Sequence, residues 1–200
     1  MKTIKEKKER SLGVKLFIKA ERCSSPKCAM VRHPYRPGMH GQKHRRAISD
    51  YGRQLQEKQK AQLLYGFNGR QMQNLFKRSS REEILLRLET RLDHVVFLLG
   101  FAKSPRIARQ FVSHGHILVN GRKVTIPSYR VRIGDIIRIR PESREGKLFE
   151  DIHPRLKEYV APSWLELLPE KLEGKCVSNP PVESMQLPFD VNLVVQFFAR

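Results

Sequence analysis

Residues 104–124 read S-P-R-I-A-R-Q-F-V-S-H-G-H-I-L-V-N-G-R-K-V, and this stretch constrains the fold more than any other because it prescribes a basic helix running directly into a tight hairpin. Ser104 can accept from the free backbone N–H groups of a helix start, and Pro105 suits the first helical position, where its missing N–H has no partner anyway. Ile107, Ala108, Phe111 and Val112 recur at helical spacing and are expected to face inward, leaving Arg106, Arg109 and Gln110 outside. His114-Gly115 ends the helix. The apolar run 117–119 then meets Asn120-Gly121, the strongest two-residue hairpin signal, after which Arg122, Lys123 and Val124 begin the return strand. Cationic side chains thus collect at one edge of a compact unit, a surface suited to gripping folded RNA.

The charge balance points the same way. Lys and Arg number 39 against 20 Asp and Glu, a formal net charge of +19, and such a surplus strains a compact fold unless a polyanion neutralises it. Residues 1–141 hold 32 basic and 10 acidic side chains, whereas residues 142–200 hold 7 and 10, so the partner is expected to meet mainly the first two thirds. A lipid surface is the competing polyanion, but no segment reaches the ~20 apolar residues of a membrane span, and no charged-then-apolar leader opens the chain. Three cysteines, an odd number, do not make a disulfide framework, and the expected compartment is the reducing cytoplasm.

Residues 1–46 read as a basic N-terminal arm. Apolar residues are sparse there, and Pro34, Pro37, Gly38 and Gly41 interrupt any regular element, so the arm is expected to be extended and to order where phosphates neutralise it. Phe17, His33, Tyr35, His40 and His44 are interleaved with the charge, as in surfaces on which RNA bases stack. Cys23 and Cys28 would make half of a zinc site. Structural zinc wants four ligands, and Cys176 lies far away in the acidic C-terminal part, so no metal and no other cofactor is expected.

From Ser49 the chain turns helical. Ser49 or Asp50 can cap a helix running to Tyr65, where Gly66 supplies the stop; its thin apolar stripe of Tyr51, Leu55, Leu63 and Leu64 needs another surface to cover it. A short helix follows around residues 71–77. Ser80 and Glu83 form a capping box ahead of Ile84, Leu85, Leu88, Leu92, Val95, Val96 and Leu99, a core-facing pattern closed by Gly100. After the hairpin, residues 129–140 read as further strands around an Ile133-Gly134-Asp135 turn, with Ile137 and Ile139 alternating against Arg138 and Arg140. Beyond Pro141 the chain is loop-rich, with Trp164, Leu165, Leu167 and Leu168 as a small apolar patch and a strand-like end at residues 191–198. That end is expected to return to the helices before Ser80. The fold class is α+β, in three parts: the arm 1–46, a helical domain 47–90 completed by 156–200, and an inserted helix-plus-antiparallel-sheet RNA-binding module over 91–155.

Several motifs together resemble one family. The segment from Arg91-Leu-Asp93 through S-H-G-H-I-L-V-N-G to Arg140 is similar to the RNA-binding domain named after bacterial small-subunit ribosomal protein four, a domain that recurs in unrelated proteins. The P-x-x-P-G-x-H-G turn at residues 34–41, the S-D-Y-G-x-Q-L-x-E-K-Q-K helix at 49–60 and the terminal N-L-V-V-Q-F-F-A-R extend the resemblance to nearly the whole chain. The resemblance implies a primary rRNA-binding protein that recognises a multi-helix junction in the 5′ domain of 16S rRNA and nucleates assembly of the small-subunit body. It also implies contacts with ribosomal proteins five and twelve at an interface linked to decoding accuracy, and a place near the mRNA entry channel.

On this reading Lys43, Arg45 and Arg46 match the basic stretch near mRNA, and Arg22, Lys27, Arg32, Tyr35, Arg36 and His40 carry the arm's RNA contacts. Tyr51, Gln54, Lys58, Lys60 and Arg70 are expected to add contacts from the helices. The module contributes Ser104, Arg106, Arg109, Gln110, Ser113, His114, His116, Asn120, Arg122 and Lys123. Zinc-bearing relatives carry a second cysteine pair upstream of Gly13, where Glu6 and Glu9 stand here, so the resemblance restores no metal. Pseudouridine synthases, tyrosyl-tRNA synthetases and heat-shock-type ribosome-rescue factors carry the same module. An RNA-modifying enzyme needs a separate catalytic domain, and a nucleotide-using one a Gly-rich phosphate loop that the sequence lacks. A rescue factor leaves the arm and flanking helices unexplained, and no catalytic residue is expected.

Overall fold

The computed structural model describes residues 5–18, 20–43, 47–77, 79–144, 146, 148–181 and 187–199; His44, Arg45 and Arg46 lie outside them. In chain order the helices are α1 (Lys5–Leu12), α2 (Ala20–Cys23), α3 (Ala29–Arg32), α4 (Asp50–Tyr65), α5 (Gly69–Lys77), α6 (Arg81–Glu89), α7 (Leu92–Leu98), α8 (Pro105–Ser113), α9 (Pro141–Arg144), α10 (Ile152–Lys157) and α11 (Val191–Phe198). The strands are β1 (Ile117–Val119), β2 (Arg122–Lys123), β3 (Ile136–Ile139), β4 (Leu165–Leu168) and β5 (Glu173–Cys176). Two compact units share the chain: residues 1–84 with 186–200, and residues 85–185.

In the first unit, Ser49 Oγ accepts from Gly52 N–H at 3.2 Å and Gly66 adopts the left-handed conformation, so α4 starts and stops at the residues its sequence signals mark. Its buried stripe is Gln54, Ala61 and Tyr65, while Tyr51 stays exposed. The strand expected at residues 191–198 is instead the helix α11, packed on α4. Asp190 Oδ1 caps it by accepting from Asn192 N–H at 2.8 Å, and Val191 and Val194, three residues apart, face inward. The valines favour a strand locally; burying one face against α4 outweighs that preference. Gln54 Nε2 donates to Gln196 Oε1 at 3.3 Å, and Asp190 N–H donates to Glu57 Oε2 at 2.9 Å, fastening the two helices.

The N-terminal segment departs from the extended arm expected of it. Helices α1 and α3 pack together, and Leu16, Ile18, Cys23 and Cys28 are buried. Glu9, 1% exposed, organises the turn: its Oε1 accepts from Leu16 N–H at 2.9 Å and from Ile18 N–H at 3.3 Å. Arg10 turns inward as well, donating from Nε to His33 O at 3.0 Å and from Nη2 to Tyr35 O at 3.0 Å, with its guanidinium 5.1 Å from the Tyr35 ring centre. Two charged residues thus supply the order that the low apolar content seemed to deny.

In the second unit the strands form one antiparallel sheet in the order β2-β1-β3-β5-β4. The period-2 pattern puts Ile117, Val119, Ile137 and Ile139 into the core, where they join Val95, Val96 and Leu99 of the α7 region and Ala108, Phe111 and Val112 of α8. Leu99 lies so close over β5 that a Cβ on Gly174 would stand 2.4 Å from its Cδ2; glycine is what lets this layer close. The boundary expected at residue 155 moves, because β5 pairs with β3 and Trp164, Leu165, Leu172 and Cys176 bury in the same core rather than in a separate patch. The apolar pattern 84–99 is two helices, α6 and α7, broken at Thr90-Arg91. Residues 129–135 form no strand; Arg130 makes an isolated bridge with Arg91.

Candidate RNA interface

Helix α8 and the hairpin are built from their ends inward. Ser104 Oγ accepts from Ile107 N–H at 3.3 Å, Pro105 occupies the first turn, and the apolar face described above locks the helix down. Arg106, Gln110, Ser113 and His114 remain exposed. At the hairpin, Asn120 (φ 50°) and Gly121 (φ 79°) both take the positive φ that a tight two-residue turn requires. The Asn120 side chain braces it, donating from Nδ2 to Asp135 Oδ1 at 2.8 Å and accepting from Ile136 N–H at 2.9 Å. Arg122 and Lys123 follow, exposed. A Cβ on Gly115 (φ 76°) would stand 2.1 Å from Lys123 Cε, so the lysine stem crosses the end of α8 in the space that glycine leaves. Its cation is favourably placed beside the negative end of the helix dipole.

Beneath α8 lies a buried charge centre. Asp93, 5% exposed, receives Arg91 Nε at 2.9 Å and Nη2 at 2.7 Å in a two-pronged pair, and Arg109 Nη1 at 3.3 Å. Arg109 is therefore half-buried and held in place. His116 Nδ1 lies 2.9 Å from Ser143 Oγ, and its ring packs against Phe111 and Phe149. Burial first, and then the charges of His114, Arg140 and Lys123, hold its pKa below the ordinary histidine value. The imidazole is neutral at pH 7 and offers a hydrogen bond rather than a charge.

Three of the expected contacts have internal partners. Ser104 is fully buried and spends its hydroxyl on the helix cap, and Gln54 is buried against Gln196. Lys60 is half-buried in an ion pair with Glu57 at 2.6 Å. Helical caps and inter-helix bonds use the same polar groups as RNA contacts, so in the sequence Ser104 and Gln54 fit either role. The sheet arginines are likewise committed: Arg138 pairs with Glu173 at 3.3 Å and Arg140 with Glu142 at 2.6 Å.

On the first unit, Arg22, Lys27, Arg32, His40, Lys43, Tyr51 and Arg70 are exposed, and Tyr35 and Arg36 are half-buried. Arg22 Nε also pairs with Glu6 at 3.3 Å, and Lys58 Nζ sits 4.3 Å from the Phe197 ring centre. Glu9 Oε1 accepts from two backbone N–H groups, and among the described residues no three or more histidine, cysteine or carboxylate side chains cluster so as to hold a metal ion. Among the described residues no helix is long and apolar enough to cross a membrane. Arg130 and Arg132, two residues apart with no motif around them to mark them in the sequence, also line a cleft on the second unit.

Residues 90–137 match the S4 domain family, and residues 1–96 match the family described as Ribosomal protein S4/S9 N-terminal domain. Across 194 aligned residues the chain is 48% identical to "Small ribosomal subunit protein uS4" of Thermus thermophilus, covering 94% of this chain and 93% of the relative. It is 44% identical to the protein of that name from Heliobacterium modesticaldum and 42% to that from Syntrophomonas wolfei, with the same coverage of both partners. The capped α8, its Asn-Gly hairpin and the Asp93 centre all fall within the matched S4 domain. The chain belongs to the bacterial-type ribosomal protein S4 (uS4) family.

Proposed function

We propose that this protein is a structural, non-enzymatic constituent of the small ribosomal subunit in the cytoplasm, and that it binds the 5′ domain of 16S rRNA and nucleates assembly of the subunit body. The observation that carries the reading is the α8–hairpin surface: Arg106, Gln110, Arg122 and Lys123 are exposed on a backbone fixed by Ser104, Asn120 and Gly115. A rigid cationic edge of this kind recognises the phosphate geometry of folded RNA, with little of its affinity drawn from base identity. The names of the relatives supply the assembly; the charge supplies the partner.

The first unit offers a second set of cations on a differently held backbone, so the chain presents phosphate-binding groups from two compact bodies. Such an arrangement suits a junction at which several RNA helices meet. The finer assignments are part of the same proposal: contact with ribosomal proteins five and twelve, a contribution to translational accuracy, and Lys43, Arg45 and Arg46 near mRNA at the entry channel. The test is binding to a transcript of the 16S 5′ domain against an equally long unrelated folded RNA at near-physiological salt. Strong preference for the 5′ domain is expected. Equal binding to both would leave a general RNA binder and remove the assembly role.

A further inference from the structure

The second unit contains a cleft of about 550 Å³ lined by Thr90, Tyr129, Arg130, Val131, Arg132, Ile133 and Asn179. Its floor is stiff. Leu92 N–H donates to Tyr129 O at 2.8 Å and Val131 N–H to Thr90 O at 2.8 Å, and Arg132 N–H donates to Asp135 Oδ2 at 2.8 Å. Val131 is buried, and the flanking Arg130 and Arg132 are the two cations that line the cleft. Both are exposed, and neither has an acidic partner among the described residues. The nearby carboxylate, Asp135, is already shared between Arg132 N–H and Asn120 Nδ2.

Arg91, Arg109, Arg138 and Arg140 pair with carboxylates, whereas Arg130 and Arg132, like Arg106 and Arg122 of the α8–hairpin surface, have none among the described residues, and they stand on a braced backbone beside a concave space. Two planar guanidinium forks on one braced segment suit a phosphodiester, which accepts them in pairs. Ile133, 57% exposed, and the half-buried Tyr129 ring add apolar surface beside the charges, suited to a ribose or base. Asn120 at the hairpin tip donates to Asp135 Oδ1 while Asp135 Oδ2 accepts from Arg132 N–H, so one carboxylate ties the arginine segment to the tip from which Arg122 and Lys123 lead off.

From this geometry we infer that the Arg130–Arg132 cleft is a second RNA site, holding the sugar-phosphate of a nucleotide on the strand that runs off the α8–hairpin surface. The inference rests on the RNA-binding reading above and deepens it. An acidic peptide could satisfy the same guanidiniums; continuity with the hairpin favours RNA.

The test uses the full-length protein and a transcript of the 16S 5′ domain. The double variant R130A/R132A should bind roughly ten-fold or more weakly, and the slope of log affinity against log salt should fall by roughly 1.5, as expected for two lost phosphate contacts. R130K/R132K should restore the slope. A second probe avoids any dependence on truncation: a photo-crosslinker replacing Ile133 should attach to one nucleotide of the bound transcript. Unchanged affinity and slope in R130A/R132A, with R106A/R122A still weakened, would overturn the cleft and leave the RNA-binding reading standing. If neither pair weakens binding, that reading fails along with the cleft. If RNA binding is untouched but an oligoglutamate peptide loses its affinity for R130A/R132A, the cleft takes carboxylates and the RNA assignment is wrong.

Discussion

The N-terminal segment and the module solve opposite problems. The module buries a continuous apolar core from Leu92 to Cys176, and its charged groups are added on top of a fold that packing already specifies. The N-terminal segment buries only a few apolar side chains and depends on Glu9 and Arg10, which both tie down backbone groups. A highly basic chain can therefore be ordered in two ways: by a core that tolerates surface charge, or by turning a few charges inward to tie the backbone. The first is robust to loss of one bond. The second is not.

The largest expected effect lies where the module borrows the second device. Asp93→Ala removes the carboxylate that the buried Arg91 meets with two donors and should destabilise the module by about 3–5 kcal/mol. Trp164, the chain's single tryptophan and buried in that core, reports it: its fluorescence transition should move to much lower temperature. An unmoved transition would mean the core alone carries the module. Next comes Glu9→Ala, expected to cost about 1–3 kcal/mol by orphaning the N–H groups of Leu16 and Ile18. Hydrogen exchange at those two amides should accelerate while the Trp164 transition stays put; a shared response would erase the distinction between the regions.

Gly115→Ala is smaller, about 1–2 kcal/mol, because a side chain at positive φ is strained and Lys123 must swing away. It should also weaken RNA binding at constant fold, measured by salt-dependent titration, whereas Gly121→Ala meets no neighbour and should cost backbone strain only. The smallest effect concerns His116. Its pKa is depressed in the folded state, so the unfolded chain takes up the proton first as pH falls below the ordinary histidine range. Module stability should therefore decline on acidification through that range, and His116→Gln should flatten the decline. An identical pH profile in the variant would assign the effect to other groups.

Much of the module was legible because its signals are local. Ser104-Pro105 starts a helix, Gly115 ends it and Asn120-Gly121 turns the chain, each decided within a few residues. What escaped was settled at long range. The valines of α11 become helical through α4, far away in the sequence, and β5 joins β3 across the segment between them. Site residues divide by the same rule. Arg106, Arg122 and Lys123 are exposed because nothing nearby competes for them, whereas Ser104 and Gln54 found internal partners. Arg10, one of the many cations of the arm, serves as one of its fasteners.

The pairing of α4 with α11 has a consequence for the order in which the protein is made. The first unit contains the earliest residues of the chain and some of the last, while the second lies wholly between them. During synthesis the second unit can finish before α11 exists, and Gln54 and Tyr65 must wait for Gln196 and Phe189 to be translated. The half that begins first is completed last, so a chain cut short near its end would carry a finished module and an unclosed partner.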